Sequence, residues 1–197
     1  MYENHKIAFG TASFGDQNSA NSYCQDDIKE AQLALETVIE LNINYIDTAD
    51  IYGKGRSENI IGELIKNQKK LRDQIVLQSK CGIKFSEENQ NLYYDTSKDH
   101  IICAVEQSLS RMNTDRLDFL LLHRPDPLMD PEEVSKAFEQ LHFQGKVLHF
   151  GVSNFTPNQI KILKKFLTVP IVVNQIQFSL LHTVLLDAGI EGFHETI

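Results

Sequence analysis

The chain has 197 residues, 42% of them hydrophobic, which is enough for one sizeable core and is read as a single domain over 1–197. Its net charge of -8, with no basic block beyond Lys69-Lys70 and Lys164-Lys165, argues against nucleic acid as a partner. No apolar run approaches the ~18 residues of a membrane span, MYENHKIAFG lacks the form of a signal peptide, and three cysteines without a C-x-x-C pair fit a reduced, cytoplasmic setting.

Two textures alternate along the chain. Runs rich in Ile, Val, Leu and Phe predict buried parallel strands at 7–12, 44–48, 75–80, 117–123, 149–153 and 171–177. Between them, apolar residues recur at helical spacing. A helix is predicted over 26–41 from Ile28, Ala31, Leu33, Leu35, Val38, Ile39 and Leu41, and another over 57–66 from Ile60, Ile61, Leu64 and Ile65. Ser97 is the expected N-cap of a helix reaching Arg111. Pro131 opens and Gly145 closes the next helix, and Thr156-Pro157 starts one running to about Phe166. The polar segment Ser86–Thr96 reads as a surface loop. Regular βα alternation implies a parallel sheet with helical crossovers.

Four polar side chains stand at or just beyond strand ends: Asp47, Tyr52, Lys80 and His123. In α/β barrels and open parallel sheets those ends share the face that carries the chemistry. An acid, a phenol, an ammonium and an imidazole gathered there could move protons. Each also has a plainer reading: Asp47 as a helix cap, Tyr52 as an amphipathic surface residue, Lys80 as a solvated strand end, His123 as a structural histidine.

The strings YIDTADIYGKGRSE, LQSKCG, LDFLLLHRPD, HFGVSNF and VVNQIQFSLL, in this order, resemble the aldo-keto reductase family. The resemblance implies a (β/α)8 barrel, incomplete here at about six of eight βα units, that binds NADP(H) and reduces aldehydes or ketones. It implies Tyr52 as general acid, with Lys80 stabilising the phenolate, Asp47 pairing with Lys80, and His123 hydrogen-bonding the substrate carbonyl. An unaided phenol titrates near 10 and donates reluctantly at neutral pH, so a neighbouring ammonium is chemically apt. Ser153, Asn154 and Gln175 are implied at the nicotinamide carboxamide, Gly10 and Thr11 at the cofactor through backbone approach. Nothing after Gln177 resembles the family's aromatic platform or its basic residues for the 2′-phosphate. Six strands cannot close an eight-strand barrel, so the first and sixth would carry unpaired edges, and the 197-residue chain is expected to be inactive or aggregation-prone by itself unless a partner or a second copy covers them. Two other functions remain open: a Schiff-base aldolase using Lys80, and a non-catalytic relative. Gly53-Lys54-Gly55 imitates a dinucleotide fingerprint but has Glu58 where the third small residue belongs. His142 and His149 lack partners at metal-ligand spacing, so no metal is expected.

Overall fold

The computed structural model describes residues 7–14, 25–68, 70–86, 88, 91–183, 189–191 and 194–196. Cys24, Lys69 and most of the amino-terminal decapeptide lie outside them. In chain order the elements are β1 (Ala8–Gly10), α1 (Gln25–Glu40), β2 (Tyr45–Asp47), a 3-10 turn (Tyr52–Gly55), α2 (Arg56–Asn67), α3 (Leu71–Gln74), β3 (Val76–Cys81), β4 (Ile83–Phe85), β5 (Leu92–Tyr94), α4 (Lys98–Arg111), β6 (Leu117–Leu122), α5 (Pro131–Phe143), β7 (Val147–Ser153), α6 (Pro157–Leu163), β8 (Ile171–Gln175), β9 (Gly189–Glu191) and β10 (His194–Thr196).

The residues pack as two compact units. The first comprises Met1–Lys80 with Ala104–Phe119, the second Cys81–Cys103 with Leu120–Ile197. The main sheet runs β1-β2-β3-β6 and on through β6-β7-β8, with β6 contributing residues to both units. β1/β2, β2/β3 and β7/β8 pair parallel. β9 and β10 form a separate antiparallel pair.

In the first unit, β3 buries all six of its residues. Only a strand covered on both faces by other elements can do so. α2 seals one side with Ile60, Ile61, Leu64 and Ile65, and Gly62 sits so close to the end of α4 that a Cβ would collide with the Arg111 carbonyl and Met112. Arg72 ties α3 to the start of β6, donating to Asp118 Oδ2 at 2.8 Å and to the carbonyls of Ile75 and Arg116. In the second unit, Phe138 of α5 stacks on Phe150 of β7 with centroids 4.2 Å apart.

The helix ends follow local chemistry. Ser97 Oγ accepts from the His100 amide, and Asp130 accepts from Glu132 ahead of Pro131. Thr156 and Gln159 form a reciprocal capping box. Gly145 takes the left-handed conformation (φ 69°) that ends α5.

Three sequence expectations are corrected. The segment read as a surface loop instead supplies β5, which pairs antiparallel with β4 and brings Ile83 opposite Tyr94. α6 stops at Leu163, three residues short of Phe166, and passes into turns. The four-residue α3 was not expected, being too short to show a period.

Candidate active site

The register of the first unit decides which side chains meet. Gly10 lies opposite Asp47, and Asp47 opposite Gln78. Because strand side chains alternate between faces, Tyr45, Asp47, Gln78 and Lys80 share one face, while Ile46, Leu77 and Ser79 take the other. The hydrogen bonds agree: Tyr45 donates its hydroxyl to Gln78 Oε1 at 2.7 Å, and Gln78 Nε2 donates to Asp47 Oδ1 at 2.6 Å.

Lys80 is the hub of this face. Its side chain is 2% exposed, and Nζ lies 2.6 Å from Asp47 Oδ1. It also donates to the Thr48 carbonyl at 2.8 Å and to the Tyr52 hydroxyl at 3.2 Å. Three ammonium protons thus meet three acceptors. The same Nζ stands 4.9 Å from the centre of the Tyr52 ring.

Tyr52 reaches Lys80 because the chain turns sharply after it. Gly53, Lys54 and Gly55 have φ of 57°, 56° and 89°, a left-handed run that two glycines ease. The GKGRSE string is therefore a turn into α2. Its serine donates to the carbonyls of Thr11 and Phe14, docking β1 and the segment after it. Its glutamate, Glu58, is wholly buried on the opposite face of β3, where it accepts from Ser79 Oγ and Arg111 Nε, each at 2.7 Å. Glu58 and Arg111 lie far apart in sequence, and no local signal announced their pairing.

Thr11 is fully buried, with its hydroxyl given to the Asp47 carbonyl at 3.1 Å. It anchors the end of β2 by its side chain. Gly10 is exposed, and a Cβ there would meet open space.

The second unit holds the other expected residues. His123 follows β6 directly, is buried, and donates its backbone N–H to the Cys81 carbonyl at 2.8 Å. Ser153 ends β7 opposite Gln175, which ends β8. Asn154 follows in the left-handed conformation (φ 57°). Its Nδ2 donates to Ser153 Oγ at 3.1 Å, and its Oδ1 accepts from the Gln177 amide at 2.8 Å. The cap of α6 is Thr156, as its sequence implied.

The first unit thus brings Asp47, Tyr52 and Lys80 together; His123, Ser153, Asn154 and Gln175 belong to the second, each at or just past the C-terminal end of its strand. A hollow of about 640 Å³ in the second unit, beside Lys136, Glu139, His142 and Phe143, is no rival. Three of its polar groups are already engaged: Lys136 with Glu133, Glu139 with Thr168, and His142 with the Val147 carbonyl. Among the described residues no cluster of His, Cys, Asp or Glu could hold a metal ion, and no helix is long and apolar enough to cross a membrane.

Comparison with known proteins defines the class. The profile of the Aldo/keto reductase family matches residues 6–187, and the chain belongs to that family. It is 46% identical over 157 residues to the oxidoreductase YdhF of Escherichia coli, covering 79% of this chain and 53% of YdhF. It is 38% identical over 182 residues to the 6-dehydroglucose reductase of Agrobacterium fabrum, covering 90% and 59%. Among solved structures, the holo form of aldo-keto reductase AKR11C1 from Bacillus halodurans superposes with a TM-score of 0.74 at 33% identity, covering 92% of this chain and 54% of that one. The fold is accordingly an incomplete (β/α)8 barrel with six strands in its main sheet. The chain spans about half the length of these relatives.

Proposed function

We propose that this chain carries the proton-transfer site of an NADP(H)-dependent oxidoreductase that reduces aldehydes or ketones to alcohols. The observation that carries the reading is the position of Lys80 Nζ, shared by Asp47 Oδ1, the Thr48 carbonyl and the Tyr52 hydroxyl. A Tyr52 oxygen that accepts from an ammonium keeps its own proton for donation. As that proton moves to the carbonyl oxygen, negative charge grows on the phenol oxygen beside a fixed, buried cation, which is electrostatic stabilisation. Asp47 holds the cation in place. His123 is the proposed second donor to the carbonyl oxygen, orienting it.

The residues proposed to hold the nicotinamide fit a primary amide. Ser153 offers a hydroxyl proton, Asn154 a second Nδ2 proton beyond the one given to Ser153, and Gln175 both a donor and an acceptor. Gly10 gives room for close backbone approach. The bound cofactor would supply the hydride; the chain's own residues would bind, orient and deliver the proton.

The aldolase alternative loses support from the same geometry. A Schiff base needs a neutral, accessible amine, whereas Lys80 is sealed and donates to three acceptors, one of them a carboxylate. The test is carbonyl-dependent NADPH consumption by the purified chain beside Tyr52→Phe. Loss of the acid should slow turnover by about 10²–10⁴-fold. Measurable turnover by the unaltered chain, matched by Tyr52→Phe, would remove Tyr52 from the mechanism, and trapping of a substrate on Lys80 by borohydride would restore the aldolase.

A further inference from the structure

Between Asp47 and Tyr52 lies a third ionisable residue that this reading leaves unused. Asp50 sits in the turn that carries Tyr52 away from β2. The turn is docked on β3 by two backbone bonds, Thr48 N–H to the Gln78 carbonyl at 2.9 Å and Asp50 N–H to the Lys80 carbonyl at 3.1 Å. Asp50 Oδ1 is sealed from solvent with no hydrogen-bond partner among the described residues.

Charged groups act on it from three elements: Glu58 of α2, Arg111 of α4 and Lys80 of β3. Both cations are already engaged. Arg111 is 2.7 Å from Glu58, and Lys80 is 2.6 Å from Asp47. Burial, and then the charge of Glu58, push the Asp50 carboxyl from 3.8 up to about 8; Arg111, the Ile51 N–H and Lys80 pull the other way with less effect. At neutral pH this balance favours the protonated acid.

We propose that Asp50 is a positioning residue for the Tyr52–Lys80 pair: as a neutral acid it lets the turn seat on β3, and on losing its proton to solvent it loosens that seat and opposes charge development on Tyr52. Asp50 as a whole is half-buried, so its proton can exchange with solvent, but the sealed and unpartnered Oδ1 is tolerable on a neutral acid and costly on a carboxylate. An anion here would also stand in the same turn as the phenol, disfavouring the phenolate as the proton departs. The role assigned to Asp50 rests on Tyr52 being the proton donor; its neutrality does not.

Asp50→Asn reproduces the shape of the neutral acid and cannot ionise. The folded state holds the Asp50 proton between about pH 4 and 8, where the unfolded chain has released it, so wild-type stability falls as pH rises through that window and levels off above it. Urea denaturation from pH 5 to 9 should show that slope in the wild type and its reduction in Asp50→Asn, the variant gaining on the wild type as pH increases. The hydrogen-exchange protection factor of the residue-50 amide should drop about tenfold between pH 6.5 and 9 in the wild type, one unit past the midpoint leaving about a tenth of the acid neutral. It should stay level in the variant. In turnover, the wild type should lose about tenfold more than Asp50→Asn over the same range. Parallel stability curves, or an Asp50 carboxyl resonance in the wild type titrating near 4, would overturn the neutral acid. Matching protection factors and pH–rate profiles would overturn the positioning role. A fully active Tyr52→Phe would instead sink the reading of Tyr52, leaving the stability curves to judge Asp50 independently.

Discussion

Replacing Lys80 by Met should be among the most costly substitutions in the chain, and its cost should be relieved by a second change. The Lys80–Asp47 pair is 2.6 Å apart, with the two side chains 2% and 10% exposed. Lys80→Met keeps the length and removes the charge, leaving the Asp47 carboxylate with Gln78 Nε2 as its neutral partner. Breaking a buried pair from one side costs about 3–5 kcal/mol, because the remaining charge stays desolvated. Asp47→Asn keeps an acceptor for Lys80 and should cost about 1–3 kcal/mol, in the range of a weakened charged hydrogen bond. The double variant buries no unpaired charge and should fall short of the summed losses by roughly 2 kcal/mol, a coupling expected of residues in direct contact. Urea unfolding followed by far-ultraviolet circular dichroism reads all four proteins, and a loss of this size shifts the midpoint by about 1–3 M at usual slopes. Strict additivity, or a Lys80→Met loss below ~1 kcal/mol, would show that water screens the pair and that the lysine is not held as argued.

Gly62→Ala should destabilise the first unit by about 1–3 kcal/mol despite alanine's better helix propensity, because the new methyl meets the Arg111 carbonyl and the Met112 backbone, neither of which can swing aside; thermal melting reads the loss. His100 tests pH linkage in the second unit. Its Nε2 is sealed without a partner, and burial, outweighing the attraction of Asp95 and reinforced by Lys84, lowers its pKa below 6.5. The unfolded chain therefore takes up the proton first, so this contribution is fully present above pH 6.5 and lost as pH falls; the wild type should gain stability relative to His100→Gln as pH rises from 5 to 7 in denaturant titrations.

What could be read in advance follows from how locally each feature is encoded. LDFLLL in β6 is apolar at every position but Asp118 because both faces are covered, and Thr156-Pro157 with Gln159 is a capping box within four residues. β5 gave no such signal. Leu92, Tyr93 and Tyr94 are all exposed, so no alternation marks a buried face, and the polar residues before them read as loop. The Glu58–Arg111 and Arg72–Asp118 pairs join residues from different helices and strands. Only the fold reveals that these charges are buried rather than solvated. Asp50 was hidden for the same reason, since its chemistry depends on burial and on which cations are already taken.

The site depends on register more than on composition. Asp47 faces Gln78, and Lys80 lies two residues beyond Gln78, so the ammonium returns to the face that carries the carboxylate. A slip of one residue between β2 and β3 would send Lys80 to the helix side and bring Ser79 to the polar face. It would also turn Leu77, 0% exposed, out of the core, away from Ile46 of β2. The hydrophobic term therefore holds the register, and Glu58 reinforces it by accepting from Ser79 on the far face. The Asp47–Lys80 face and the buried Glu58–Arg111 face are thus two sides of one strand pair. A substitution on the helix side that shifts β3 by a fraction of an ångström should reach Tyr52 through Lys80, without touching any residue that would meet the substrate.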